Sequence, residues 1–262
     1  MENFDQVRAD ALFLKGEYLS AFEMYLNEAR ESRDPRAAFD VAYMCHRGIG
    51  VPQNFGLARE FYMAASMLEG GAALYNLALL NIRGQGGEAD FKAAIRYMHQ
   101  AAEMDCADAR LYLGVAYTTG CAFDPLDIEC ISMIPFYRVI KRSADTIQIG
   151  GVSTDPEIEA KRFEAVQQDE YTAVDMFEAV DKIKDKTYIE EQVGTAKLMV
   201  GQALIEGVGK DYNPQQGYRL IASAALGGST EAAQYLLQNA EKAASYGVSK
   251  EMLLLLAGSI DT

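Results

Sequence analysis

Three Gly-x-Gly triplets, Gly48-Ile49-Gly50, Gly84-Gln85-Gly86 and Gly207-Val208-Gly209, are the residues whose type and spacing first invite a chemical reading. Glycine turns cradle phosphates when a strand leads in, a helix N-terminus follows, and a Lys or third glycine is correctly spaced. Here helical spacing precedes every triplet and the triplets recur at a fixed interval, so they read as structural turns. Metal chemistry finds no better footing. His46 and His99 are the only histidines and fall in different repeats, and Cys45, Cys106, Cys121 and Cys130 form no CxxC pair or zinc spacing. The cysteines read as small buried apolar residues in a reducing cytoplasm. Asp124, Asp127 and Glu129 lack the twelve-residue loop and central glycine of a calcium site. No G-x-S-x-G elbow occurs and no cysteine has a recognisable histidine partner. The expectation is no catalytic residue, no metal and no cofactor. A hydrolase would need a strongly shifted carboxylate in a deep pocket, or a nucleophile within reach of His46.

The triplets keep a clock. Gly48 and Gly84 lie 36 residues apart, and another 36 reaches Gly120, where Ala122 replaces the second glycine. Gly120 and Gly207 are 87 residues apart, which reads as two periods with 15 residues inserted. The residues before each glycine repeat as well. Ala37, Val41, Ala42 and Cys45 match Ala73, Leu77, Ala78 and Asn81, then Ala109, Leu113, Gly114 and Tyr117, then Ala196, Val200, Gly201 and Leu204. Their offsets place each set on one helical face, its small member lets a second helix approach, and the glycine ends the helix. After each loop a second helix recurs: Ala58, Phe61, Tyr62 and Ala65; Ala94, Tyr97, Met98 and Ala101; Gly217, Leu220, Ile221 and Ala224. Each unit is a helical hairpin too small to bury its own apolar stripe, so neighbours must stack.

The runs LYNLALLNIRGQG (74–86), ADARLYLGVAYTTG (107–120) and KAAIRYMHQAA (92–102) resemble the Sel-one-like repeat, a cousin of the tetratricopeptide repeat. Its pattern A-x-x-x-L-G-x-x-Y-x-x-G-x-G, then A-x-x-W-x-x-x-A-A, is recovered with Phe61, Tyr97 and Leu220 in place of Trp. Gly16, Tyr18, Ala21, Tyr25, Ala29 and Pro35 resemble a tetratricopeptide unit instead. The resemblance implies an all-α fold, a right-handed α-α superhelix (solenoid) of five or six helical hairpins, and adaptor work in a protein complex.

One solenoid domain, residues 1–262, is expected, in five stretches: a tetratricopeptide-like hairpin over 1–35, regular repeats over 36–120, an irregular insert plus degenerate repeat over 121–190, a repeat and half-unit over 191–246, and a cap helix over 247–262. Within the irregular stretch, Pro135 suits the start of a helix to Ala144, and 145–155 reads as a loop. Residues 157–184 fit either two helices or one long one. The Leu253–Leu256 run is apolar all round, as a cap against the last repeat or an oligomerisation surface would be.

The charge is −14, with 38 acidic against 24 basic side chains. That balance opposes nucleic acid or an anionic membrane as partner. No run of about 18 apolar residues is present and the N-terminal stretch is acidic, so neither a membrane span nor a signal peptide is expected, and the location is expected to be cytoplasmic. In hairpin repeats the first helices line the concave side. Their inner positions nominate Phe39, Tyr43, Arg47, Tyr75, Asn76, Leu79, Arg83 and Tyr112, aromatics rimmed by Arg as in binding hot spots. The same aromatics also fit plain packing between neighbouring helices. The tetratricopeptide carboxylate clamp needs Lys, Asn and Arg at positions held here by Phe39, Tyr43, Tyr75 and Leu79, so a free C-terminus is a poor fit. The expected function is a non-enzymatic interaction scaffold whose partner offers an apolar or amphipathic segment or a basic surface. The alternative is an acidic inhibitor or immunity-type protein that blocks a basic enzyme.

Overall fold

The structure is a computed structural model that describes residues 4–68, 71–120, 122, 156–166, 169–183 and 190–260. The architecture is all-α, built from helical hairpins joined in series, and divides into two compact units, 1–106 and 107–262. The first unit holds α1 (Phe4–Leu14), α2 (Tyr18–Glu31), α3 (Pro35–Arg47), α4 (Phe55–Ala64), α5 (Ala72–Ile82) and α6 (Phe91–Glu103). Helices α1 and α2, α3 and α4, and α5 and α6 pair as hairpins. Their shared core includes Val41, Met44, Tyr62, Leu77 and Leu80.

Local chemistry marks the helix starts. The side chains of Asp34, Asn54 and Asp90 accept backbone N–H groups of the first turns of α3, α4 and α6, each contributing about 1 kcal/mol. The turn between paired helices follows one plan. Gly48 takes φ +70° at the end of α3, a conformation costly for any residue with a Cβ. Gly50, also left-handed, rests on the preceding hairpin: a Cβ there would stand 2.8 Å from the Tyr18 carbonyl carbon. Gly86 sits equivalently on Phe55 and Gly209 on Glu170. The triplets thus join repeats by backbone contact, and every one is preceded by a helix.

The second unit holds α7 (Ala107–Thr119), α8 (Pro156–Ala165), α9 (Glu170–Asp181), α10 (Glu190–Glu206), α11 (Pro214–Leu226), α12 (Thr230–Gln238), α13 (Ala240–Ser245) and α14 (Lys250–Ile260). Here the spacing arithmetic needs correction. In ordinary repeats the N–H of the residue capping the second helix donates to a carbonyl nine residues earlier: Asn54 to Cys45 (2.9 Å), Asp90 to Asn81 (3.1 Å) and Asn213 to Leu204 (2.8 Å). The fourth such bond runs from Asp169 to Tyr117 at 2.9 Å, across 52 residues. Asp169 caps α9, and α7 packs against α9 as α3 does against α4. The 87-residue interval therefore contains one repeat whose hairpin connection is greatly lengthened, not two repeats with 15 extra residues. Residues 157–184 do not form one helix: α8 ends at Ala165, within the lengthened connection, and α9 begins at Glu170.

Interactions along α9 hold it between its neighbours. Arg110 Nη1 donates to the Ala179 carbonyl at 2.9 Å, and Lys197 lies 3.8 Å from Asp181. At the C-terminal end, α14 packs on α12 with Leu253 and Leu256 buried, whereas Leu254 and Leu255 face solvent. The helix expected from Pro135 to Ala144, the loop 145–155, the acidic side chains Asp124, Asp127 and Glu129, and the thiols Cys121 and Cys130 lie outside the described residues.

Candidate functional site

The inner positions of α3 carry an aromatic ladder. Phe39 is half-buried and meets Tyr62 edge-on, ring centroids 5.7 Å apart. On its other side it stacks on Tyr43 at 6.5 Å and 13°. Tyr43 is exposed, and the Arg47 guanidinium stands 5.8 Å above its ring, within cation–π range. Beneath this exposed pair lies a rigid support. Tyr62 is fully buried, and its hydroxyl is 3.3 Å from Nδ1 of buried His46, which also meets Phe55 edge-on.

Electrostatics follow from burial. Burial lowers the His46 pKa, and the nearby Arg47 and Arg83 guanidiniums lower it further, so the imidazole is held neutral. The Tyr62 hydroxyl is pushed well above the usual tyrosine range, chiefly by burial. That hydroxyl is near His46 but inaccessible, so the pair supports the platform and offers no nucleophile. His99, half-buried on α6, is lowered by burial and partly restored by Glu103, one helical turn onward.

The other nominated residues separate by burial. On α5, Tyr75 and Asn76 are half-buried, and Asn76 Nδ2 donates to its own helix at Ala72 O (2.9 Å). Leu79 is buried in the α5 core stripe, and Arg83 ends α5 close enough to His46 to act on its charge. Tyr112, on α7 in the second unit, is also buried. The most exposed members of the set are therefore Tyr43 and Arg47; Phe39, Tyr75, Asn76 and Arg83 are half-exposed, and all six lie in the first unit. Among the described residues no group of three or more His, Cys, Asp or Glu is placed to hold a metal ion. Sequence reasoning overlooked Gln6 and Asp10 on α1, which meet Asp40 of α3; their only local signal is the i, i+4 spacing of Gln6 and Asp10.

A family model described as Sel1 repeat matches residues 35–69, 71–106 and 195–229. The chain carries Sel1 repeats. The matched segments are the hairpins α3–α4, α5–α6 and α10–α11. Between the second and third match lies the hairpin α7–α9 with its lengthened connection. A solved structure of a Sel1 repeat protein shares the fold. This protein, from Oxalobacter formigenes, aligns at TM-score 0.64 and 17% identity, over 92% of this chain and 82% of its own. The Escherichia coli protein c5321, described as a protective antigen of uropathogenic strains displaying an SLR fold, aligns at TM-score 0.42 and 19% identity over 89% of this chain and 55% of its own. A Sel1 repeat protein from Klebsiella pneumoniae aligns at 0.41 and 18% over 88% and 89%. The curated proteins contain no match. Sel1 repeats generally serve protein–protein interaction, and among the described residues no helix is long and apolar enough to cross a membrane.

Proposed function

We propose that this Sel1 repeat chain is a non-enzymatic scaffold that presents the α3–α5 face of its first unit to a protein or peptide partner. The observation that carries the reading is the Tyr43–Arg47 pair, exposed on top of the buried Tyr62–His46 support. A rigid aromatic with a guanidinium over it supplies contact area at little entropic cost, as binding hot spots do. Phe39, Tyr75, Asn76 and Arg83 extend this surface, and Leu79 backs it from the core. Tyr112 would act only as packing in its own unit. The partner that suits the face is an amphipathic segment whose apolar side chain covers Tyr43. Buried cysteines at 45 and 106 are in keeping with a reducing cytoplasm.

Affinity purification from the native cell tests the proposal. A co-purifying protein retained by the unaltered chain and lost with Tyr43→Ala or Arg47→Ala is the expected result. Equal recovery with both variants, at unchanged thermal stability, overturns it.

A further inference from the structure

Arg47 and Arg83 occupy the same position in successive repeats, 36 residues apart, at the C-terminal ends of α3 and α5. The charges of both guanidiniums reach buried His46 between them. The imidazole is neutral, so this end of the face holds two positive charges and no third. The α10–α11 hairpin places Glu206 at the equivalent position, so the cationic pair belongs to the first unit.

Arg47 is exposed and pairs with no carboxylate among the described residues, although the chain carries 38 acidic side chains. Cations elsewhere are matched: Lys161, Lys182, Lys197 and Lys210 lie 3.2 to 3.9 Å from a carboxylate oxygen. The neighbouring helices explain the contrast. α3 contains one acid, Asp40, which accepts from Gln6 Nε2 at 2.8 Å, and α5 contains none. The Tyr43 ring takes the face of the Arg47 guanidinium, and such a contact leaves the N–H edge for an acceptor. A carboxylate matches that planar fork. A phosphoryl group carries about −2 and is repelled more strongly by the charge of −14.

We propose that Arg47 and Arg83 form a subsite for an Asp or Glu side chain of the partner segment. The inference rests on the binding face assigned above and adds a charge requirement to its partner. It also sets a spacing. Arg47 Cζ stands 5.8 Å from the centre of the Tyr43 ring, about the separation of side chains one helical turn apart. A helical partner therefore carries its acid three or four residues from the apolar side chain that covers Tyr43.

The probe is an acetylated, amidated helical peptide with Leu and Glu four residues apart, compared with its Gln counterpart. The Nε–H resonances of Arg47 and Arg83 in the full chain report binding. The expected result is a saturable shift of both, with the Glu peptide bound about tenfold tighter, as a charged hydrogen-bonded pair allows. Arg47→Gln and Arg83→Gln should each cut that preference to about twofold or less. Two variants are used so that a folding defect in one leaves the test intact. The proposal is overturned when the two peptides bind alike, when neither arginine resonance moves, or when the preference survives both substitutions. Tighter binding of a phosphoserine peptide, or of the Gln peptide with a free C-terminus, also overturns it. Peptides that bind alike, alongside Tyr43-dependent partner capture, remove the subsite and keep the face. A Glu preference alongside capture that ignores Tyr43→Ala does the reverse.

Discussion

Gly114 of α7 packs against the ring of Phe177 on α9, so close that a Cβ at 114 would stand 2.6 Å from the Phe177 Cζ. In the α10–α11 hairpin the same relation joins Gly201 and Ile221, where a Cβ would stand 2.5 Å from Cγ1. The α3–α4 and α5–α6 hairpins place Ala42 and Ala78 at the glycine position, with Tyr62 and Met98 at the partner position, all four buried. In all four hairpins a glycine or alanine of the first helix thus stands at the position corresponding to a bulky residue of the second.

Gly114→Ala should therefore destabilise by about 1–3 kcal/mol, as overpacked core sites do. Gly114→Leu should cost more and abolish cooperative melting of the second unit. Combining Gly114→Ala with Phe177→Met, which copies the buried Ala78 and Met98 of the α5–α6 hairpin, should restore part of the loss. Thermal denaturation followed by circular dichroism reads all three. Melting of Gly114→Leu like the unaltered chain would contradict the packing relation.

The Asp169–Tyr117 bond makes a bolder prediction about the lengthened connection. Its ends are as close as those of hairpins that need only eight intervening residues. Replacing residues 118–168 with the eight-residue stretch 82–89 should leave α7 and α9 paired and the second unit cooperatively folded. Loop-closure entropy changes slowly with length, so the shorter loop should stabilise slightly. Non-cooperative unfolding of this variant would show that the removed residues are needed for the stack.

Asp40 governs a pH dependence with a definite sign. Burial is the main cause that pushes its carboxyl up to about 6, Asp10 and Asp34 push the same way, and the Gln6 hydrogen bond and Arg36 oppose them. The folded chain therefore binds more protons at Asp40 than the unfolded chain between about pH 4 and 6, and stability attributable to this group falls as pH rises through that window. Asp40→Asn should be more stable than the unaltered chain at pH 7.5, by at most about 3 kcal/mol, and the two should converge near pH 4. Urea denaturation across that range measures it.

Support and platform should separate under mutation. Tyr62→Phe removes the hydroxyl that faces buried His46 Nδ1 and should cost about 1–2 kcal/mol, while partner capture persists at a temperature where the variant is folded. Tyr43→Ala should cost about 1 kcal/mol, because the residue is 38% exposed and outside the buried core, while capture is lost. A Tyr43→Ala protein that melts far below the unaltered chain would reassign Tyr43 to packing.

What the amino-acid order settled alone is everything carried by short-range pattern: the glycine turns, the apolar stripes with small residues at close-approach positions, and the capping residues. These depend on backbone conformation and helical spacing within one hairpin, and a 36-residue period displays them openly. Partner choice between distant segments was decided by packing. Nothing local tells α7 that its mate begins at Glu170; Phe177 fills the space above Gly114 and selects it. The same holds for Gln6, Asp10 and Asp40, which are gathered only when α1 docks beside α3, and for Leu79 and Tyr112, whose inner-face positions proved buried. Burial and convergence are properties of neighbours that linear spacing does not encode, because the chain between two contacting helices can be lengthened at little free-energy cost.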